Sequence, residues 1–334
     1  MPLYVVVGGF FGDEGKGKVV AYMARSMSPA IGVRGGVGTN AGHTVYWQGK
    51  PVGLRQLPSC VVNPSTLLLV GAGVLVDPEV FLGEVRAFGC ERRAYIDAQC
   101  ALIEERHKQA DREGHLKEVI QTTGTGTGPA NADRALRRVR IAREERALLP
   151  YVTDVSERVH EALERGQLVM AEGTQGTFLS SYHGTWPYVT SKDVTAAAVC
   201  SDIGVGPTEV DRVLVVFKSY VTRVGGGPLE GELSPEEMQR RGWAEFGTVT
   251  GRPRRAAPFN FRLARRAVKL NGATDAALTK ADALAPEAKG VRSYEKLPAQ
   301  VRRFVEEVEA EIGVPVSLIG TGPEPEDIID RWRA

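Results

Sequence analysis

Residues Gly12-Asp13-Glu14-Gly15-Lys16-Gly17-Lys18 follow the apolar run Tyr4-Val5-Val6-Val7 and open a helical pattern. A glycine-rich turn at a helix N-terminus suits phosphate: the backbone approaches closely, the first helical N–H groups donate, and Lys16 and Lys18 add positive charge. Asp13 is the unusual member. A carboxylate repels phosphate, so its presence points to Mg²⁺ binding or to proton abstraction from a substrate. The spacing of Gly12 with Gly17-Lys18 nearly satisfies Walker A, but Val19 stands where that pattern has its magnesium-binding Ser or Thr. A second turn, Asn40-Ala41-Gly42-His43-Thr44, sets a histidine among small residues, where its ring can donate to an oxygen that becomes negative.

These turns need a scaffold. Apolar β-rich runs at 4–7, 67–70, 168–171, 213–217, 276–278 and 314–318 predict strands. Apolar residues at three- and four-residue intervals predict helices over 78–88, 103–113, 155–165, 262–270 and 298–312, and the alternation predicts an α/β fold. Asp154 with Glu157 and Ser234 with Glu237 have capping-box spacing. Glycine-rich stretches at 34–42, 122–128 and 224–231 are expected to be loops. With no internal repeat and no clear boundary, residues 1–334 are expected to form one catalytic domain with long active-site loops.

The chain has 334 residues, 43% of them hydrophobic, so it can bury a substantial core. Forty-two Lys and Arg against 41 Asp and Glu leave a net charge of +1, which argues against a broad nucleic-acid footprint. Cys60, Cys90, Cys100 and Cys200 have neither CxxC spacing nor nearby histidines, which disfavours a zinc site or a disulfide framework and points to a reducing compartment. No leader pattern opens the chain and no apolar stretch reaches about 18 residues, so a cytoplasmic protein that neither spans a membrane nor binds nucleic acid directly is expected.

The two turns together resemble the adenylosuccinate synthetase family, in its short archaeal-type form. The resemblance continues in order through Thr122-Thr123-Gly124, Glu172-Gly173-Thr174-Gln175-Gly176, Pro187-Tyr188-Val189-Thr190-Ser191, Thr222-Arg223-Val224-Gly225, Thr250-Gly251-Arg252, Thr279-Lys280-Ala281-Asp282 and Thr321-Gly322-Pro323. It implies a large, mostly parallel, P-loop-NTPase-like sheet flanked by helices. It also implies a ligase joining L-aspartate to C6 of inosine monophosphate (IMP) through a 6-phosphoryl intermediate, with GTP (or ATP) as co-substrate and Mg²⁺ as metal.

By resemblance, Asp13, His43 and Glu172 are catalytic, and Asp13 with the Gly42 carbonyl holds the metal. Asn40, Thr123, Arg137, Gln175, Thr190 and Arg252 bind the purine monophosphate, Arg137 reaching the neighbouring subunit of a homodimer. Gly12, Gly15, Lys16, Gly17, Lys18, Gly42, Thr44, Arg254, Lys280, Asp282, Thr321, Gly322 and Pro323 bind the triphosphate, Lys280 and Asp282 reading guanine. Thr248, Val249, Thr250, Gly251 and Arg252 grip aspartate.

Three segments depart from ordinary cellular members: Phe10-Phe11, residues 227–232, and Arg252-Pro253-Arg254-Arg255, where proline interrupts an arginine series and fixes φ. They raise an alternative, a phage-type enzyme that makes 2-aminoadenylosuccinate from dGMP in host cytoplasm. Retention of Asp13, Lys280 and Asp282 favours IMP. A regulatory GTPase and a silent nucleotide-binding homologue are weaker readings: Val19 breaks Walker A, and Asp13, His43, Glu172, Gln175 and Arg252 all remain.

Overall fold

A computed structural model describes residues 2–247 and 251–332. Its centre is a 10-stranded sheet whose strands, edge to edge, are Ile328–Asp330, Val316–Gly320, Asp275–Thr279, Arg212–Lys218, Leu3–Gly8 (β1), Val169–Glu172, Ile31–Arg34 (β2), Leu67–Val70, Ala94–Asp97 and Val152–Thr153. Each neighbouring pair is parallel except Val316–Gly320 with Ile328–Asp330.

The strands are continuous apolar runs because both faces of the sheet are covered. Successive side chains point to opposite faces, so Val5 and Val7 of β1 join one core while Val6 joins the other. Helices Val155–Glu164, Ala196–Ile203, Phe261–Asn271 and Ala299–Ile312 pack on the first face; Lys16–Met27 (α1) and Pro78–Phe88 pack on the second.

All six predicted strands form, shifted by at most two residues at their ends, and all five predicted helices form. The helix expected over 103–113 is shorter, Glu105–Asp111. Both capping predictions hold: Asp154 accepts from the Glu157 N–H at 3.0 Å and Ser234 from that of Glu237 at 3.2 Å. Two expected loops are partly regular, since Arg34 ends β2 and Thr127 begins the helix Thr127–Ala135.

Chain order places the site. From β1 the chain crosses through α1 to β2, on one side of β1, whereas Arg212–Lys218 and the strands after it lie on the other. In open parallel sheets ligands gather at the carboxyl ends of the strands where the order reverses. Here those ends are Gly8, Arg34, Glu172, Lys218, Thr279 and Gly320.

Candidate active site

A cavity of about 860 Å³ opens at these strand ends, lined among others by Gly12, Asp13, Lys18, Asn40, Gly42, His43, Thr123, Gln175, Thr190, Arg252, Arg254 and Lys280. Loops that lie far apart in sequence thus converge on one space.

Between β1 and α1 the cradle is shaped around Glu14. Its Oε1 accepts from the N–H groups of Phe10 (2.9 Å) and Gly12 (2.8 Å), and its Oε2 lies 3.0 Å from Lys16 Nζ. Lys16 also donates to the Gln175 carbonyl. Both side chains are buried, so Lys16 ties the cradle to the 173–176 loop and its charge is balanced by Glu14. Lys16 lines the cavity as part of this pair. Lys18 likewise donates to the carbonyls of Gly322 and, at 3.0 Å, Asp327, and burial lowers its pKa to about 8. Gly15 caps α1 at φ 91°, a left-handed conformation that favours glycine. A Cβ on Gly17 would lie 2.9 Å from the Thr44 carbonyl, so glycine lets the first turn of α1 meet the histidine-bearing segment.

Asp13 itself has φ 62° and lies 2.9 Å from the Arg254 guanidinium. Burial pushes its carboxyl above the usual range, while Arg254 and Lys218 pull it back. The raised value suits a group that must take a proton.

His43 begins a strand, His43–Trp47, paired antiparallel with Lys50–Leu54. Its Nδ1 lies 2.6 Å from Glu172 Oε1 and also 2.6 Å from Arg34 NH1. The tautomer decides the roles: with a proton, Nδ1 donates to Glu172; without one, it accepts from Arg34. Burial, helped by Arg34, lowers the His43 pKa to about 4 against the opposing pull of Glu172. Burial alone would raise Glu172, but Arg34, His43 and Ser59 overcome it and hold the carboxyl at about 2. Ser59 gives Glu172 two further hydrogen bonds, from its N–H at 2.6 Å and its hydroxyl at 2.7 Å. Glu172 is therefore a fixed anion behind the histidine.

On the same turn as His43, Asn40 Nδ2 donates to Thr190 Oγ1 at 3.1 Å, leaving Asn40 Oδ1 buried with no partner among the described residues. Thr123 Oγ1 lies 3.0 Å from Thr125 Oγ1. Asp282, two residues beyond the cavity-lining Lys280 and not itself among the lining residues, carries a second buried orphan acceptor, Oδ1. Buried acceptors without donors are costly, and a ligand's N–H groups would relieve them. Arg252 hydrogen-bonds the carbonyls of Gln121 (3.0 Å) and Thr122 (3.1 Å), tying its side chain to that segment. Thr44, Gly15, Gly322 and Pro323 also line the cavity; Thr321 is buried behind it, its hydroxyl on the Val291 carbonyl. Thr248, Val249 and Thr250 lie outside the described residues, and Gly251 flanks them.

Arg137 is not brought to this cavity. It sits exposed just after the helix Thr127–Ala135, where its side chain donates to the Ala135 carbonyl. Sequence reasoning missed Arg34, Ser59, Lys218 and Glu245. Lys218, at the carboxyl end of a central strand, was the one with a readable signal.

A phosphate cradle with its own carboxylate, facing a histidine braced by a buried glutamate, defines a nucleotide-dependent α/β enzyme rather than a Walker A switch. Comparison with known proteins makes this specific. The Adenylosuccinate synthetase family profile matches residues 5–144, 140–287 and 285–329. The adenylosuccinate synthetase of Pyrococcus horikoshii is 54% identical over 99% of both chains, and that of Archaeoglobus fulgidus 52% over 98% of this chain and 97% of its own. The chain belongs to the adenylosuccinate synthetase family, and it is an NTP-dependent ligase that forms a C–N bond.

Among solved structures, the fully ligated adenylosuccinate synthetase of Plasmodium falciparum shares the fold with a TM-score of 0.89 at 23% identity, covering 99% of this chain and 100% of that one. The succinoaminodeoxyadenylate synthetase of cyanophage S-2L, bound to dGMP and dATP, gives 0.82 at 25% identity, covering 99% and 95%. Relatives at about half identity carry the cellular name, so the phage-type reading is not favoured. Among the described residues no helix is long and apolar enough to cross a membrane.

Proposed function

We propose that the chain, acting as one catalytic domain over residues 1–334, converts IMP, L-aspartate and GTP into adenylosuccinate, GDP and phosphate. The observation that carries this reading is Asp13: a carboxylate held in the phosphate cradle, with its pKa raised, on the same cavity as His43, Asn40, Thr123 and Thr190.

The chemistry accounts for each group. The 6-oxygen of hypoxanthine is a poor leaving group and must first become a phosphate ester. Asp13 takes the proton from ring N1, and the 6-oxygen attacks the γ-phosphorus of GTP as GDP departs. With the triphosphate's negative charge beside it His43 is held as imidazolium, giving its Nδ1–H to Glu172 and its Nε2–H to the charge that develops during transfer. The amine of aspartate then attacks C6, and phosphate leaves with the former 6-oxygen.

Asn40, Gln175, Thr123, Thr190 and Arg252 hold the monophosphate nucleotide. The cradle, Thr44, Arg254 and the 321–323 turn hold GTP, with Lys280 beside Asp282, whose orphan Oδ1 suits the guanine N–H and amino group. Residues 248–252 receive aspartate. Asp13 and the Gly42 carbonyl are hard oxygen donors on one cavity, and no cluster of three His, Cys, Asp or Glu ligands exists among the described residues. That donor set fits Mg²⁺: Asp13 and the Gly42 carbonyl would hold it, and it would supply positive charge against the phosphates. The exposed Arg137 serves the monophosphate of a partner subunit in a cytoplasmic homodimer.

Steady-state kcat/KM with Mg²⁺, aspartate and GTP, comparing IMP with dGMP, tests the assignment. IMP is expected to be the better acceptor. A preference for dGMP would restore the phage-type reading, GTP hydrolysis without aspartate or IMP would indicate a switch, and no turnover with either acceptor would indicate a silent homologue.

A further inference from the structure

Glu245 precedes residues 248–252 in the chain by three positions. Its carbonyl accepts from the Arg254 N–H at 2.9 Å, and Phe246 bridges Pro253 beside it. Its carboxylate gathers cations from separate parts of the fold. Oε2 lies 2.9 Å from Lys218 Nζ and 2.5 Å from Arg254 NH1; Oε1 accepts from the Tyr220 hydroxyl at 2.5 Å and lies 3.4 Å from Lys280 Nζ. Arg254 turns its other terminal nitrogen to Asp13, 2.9 Å away, and its Nε is buried with no partner.

The guanidinium is thus aimed by a carboxylate at each end. Asp13 sits on the cradle loop, whereas Glu245 is also secured by a strand-end lysine and by a tyrosine stacked on Trp243, ring centroids 4.3 Å apart and 6° from parallel. Glu245 is the fixed end. An uncharged side chain of the same shape would leave Lys218 and Arg254, both largely buried, without their shared anion, and the guanidinium would lose its direction.

We infer that Glu245 is a positioning residue for the ligase reaction: it sets Arg254 against Asp13 and ties the chain ahead of residues 248–252 to Lys280 of the nucleotide pocket. It lines the same cavity and acts through those side chains. This rests on the roles proposed above for Asp13, Arg254 and Lys280.

The test is steady-state kinetics of the full chain as wild type, Glu245→Gln, Glu245→Asp, Arg254→Ala and the Glu245→Gln/Arg254→Ala double variant. Glu245→Gln should lower kcat about 10- to 100-fold, the range for loss of a charge-assisted hydrogen bond, and raise the KM for aspartate while the KM for IMP stays within about twofold. Glu245→Asp should recover part of the loss. The double variant should be no slower than Arg254→Ala alone, because no guanidinium remains to be aimed. Losses that multiply in the double variant, or near-normal kcat in Glu245→Gln, would overturn the inference. If Glu245→Gln does not fold, the same cycle built on Glu245→Asp decides it. Wild-type turnover in the same assay reports separately on the functional reading.

Discussion

Replacing His43 with asparagine should flatten a loss of stability that the wild-type protein suffers in mild acid. His43 is 6% exposed, and burial with Arg34 beside it lowers its pKa from 6.5 to about 4. Between those values the unfolded chain binds a proton that the folded protein refuses, so stability falls as pH falls. The contribution is present in full above about pH 6.5 and is lost as pH drops through about 4. That gap corresponds to roughly 3 kcal/mol, most of it already lost by about pH 4.5. Glu172, held at about 2, gives up its own contribution only below the ordinary carboxylate range, so the two windows separate. Asparagine can still donate to Glu172 but does not titrate. Urea unfolding at about pH 7.5 and about pH 4.5, followed by two probes whose transitions must coincide, measures the difference. Wild type should lose about 2–3 kcal/mol more than His43→Asn. Equal losses would refute the reasoning.

Asp13→Ala should reduce turnover by about 10²- to 10⁴-fold or more while the protein still unfolds cooperatively, since it removes the base and leaves the Glu14-centred cradle intact; stopped assays with long incubation check this, and near-normal kcat would reject the role. Asp282→Asn should raise the KM for GTP about tenfold or more, with little change for IMP, because the guanine donors lose a charged acceptor; initial rates at varied GTP decide it. Arg137→Ala should weaken monophosphate binding although Arg137 lies outside its own subunit's cavity. Full wild-type activity from a monomer at high dilution, established by sedimentation, would remove the shared site.

Much of the frame was legible because the strands that build it are unbroken apolar runs and the cradle is a local motif. Strand β2 was not. Gly32 interrupts its run, and glycine is there because a Cβ would lie 2.4 Å from the Cys60 side chain, a packing fact that no periodicity carries. The helix Thr127–Ala135 was masked by Gly128-Pro129, which reads as a turn although proline is tolerated in a first helical turn. In the site, the residues that meet ligands stood out by type and order. Those that hold them did not: Ser59 reaches Glu172 across 113 positions, and Lys16 is paired by Glu14 only because the intervening backbone is left-handed at Gly15. Burial and long-range pairing, absent from any local pattern, give the two cradle lysines protein partners as well as a place on the cavity.

In the proposed mechanism the 6-oxygen captures the γ-phosphoryl group before aspartate attacks. IMP labelled with ¹⁸O at that position, turned over with GTP and aspartate, tests it most directly. The label should appear quantitatively in the inorganic phosphate released with adenylosuccinate. Product formed while the phosphate stays unlabelled and the label passes into water would contradict it.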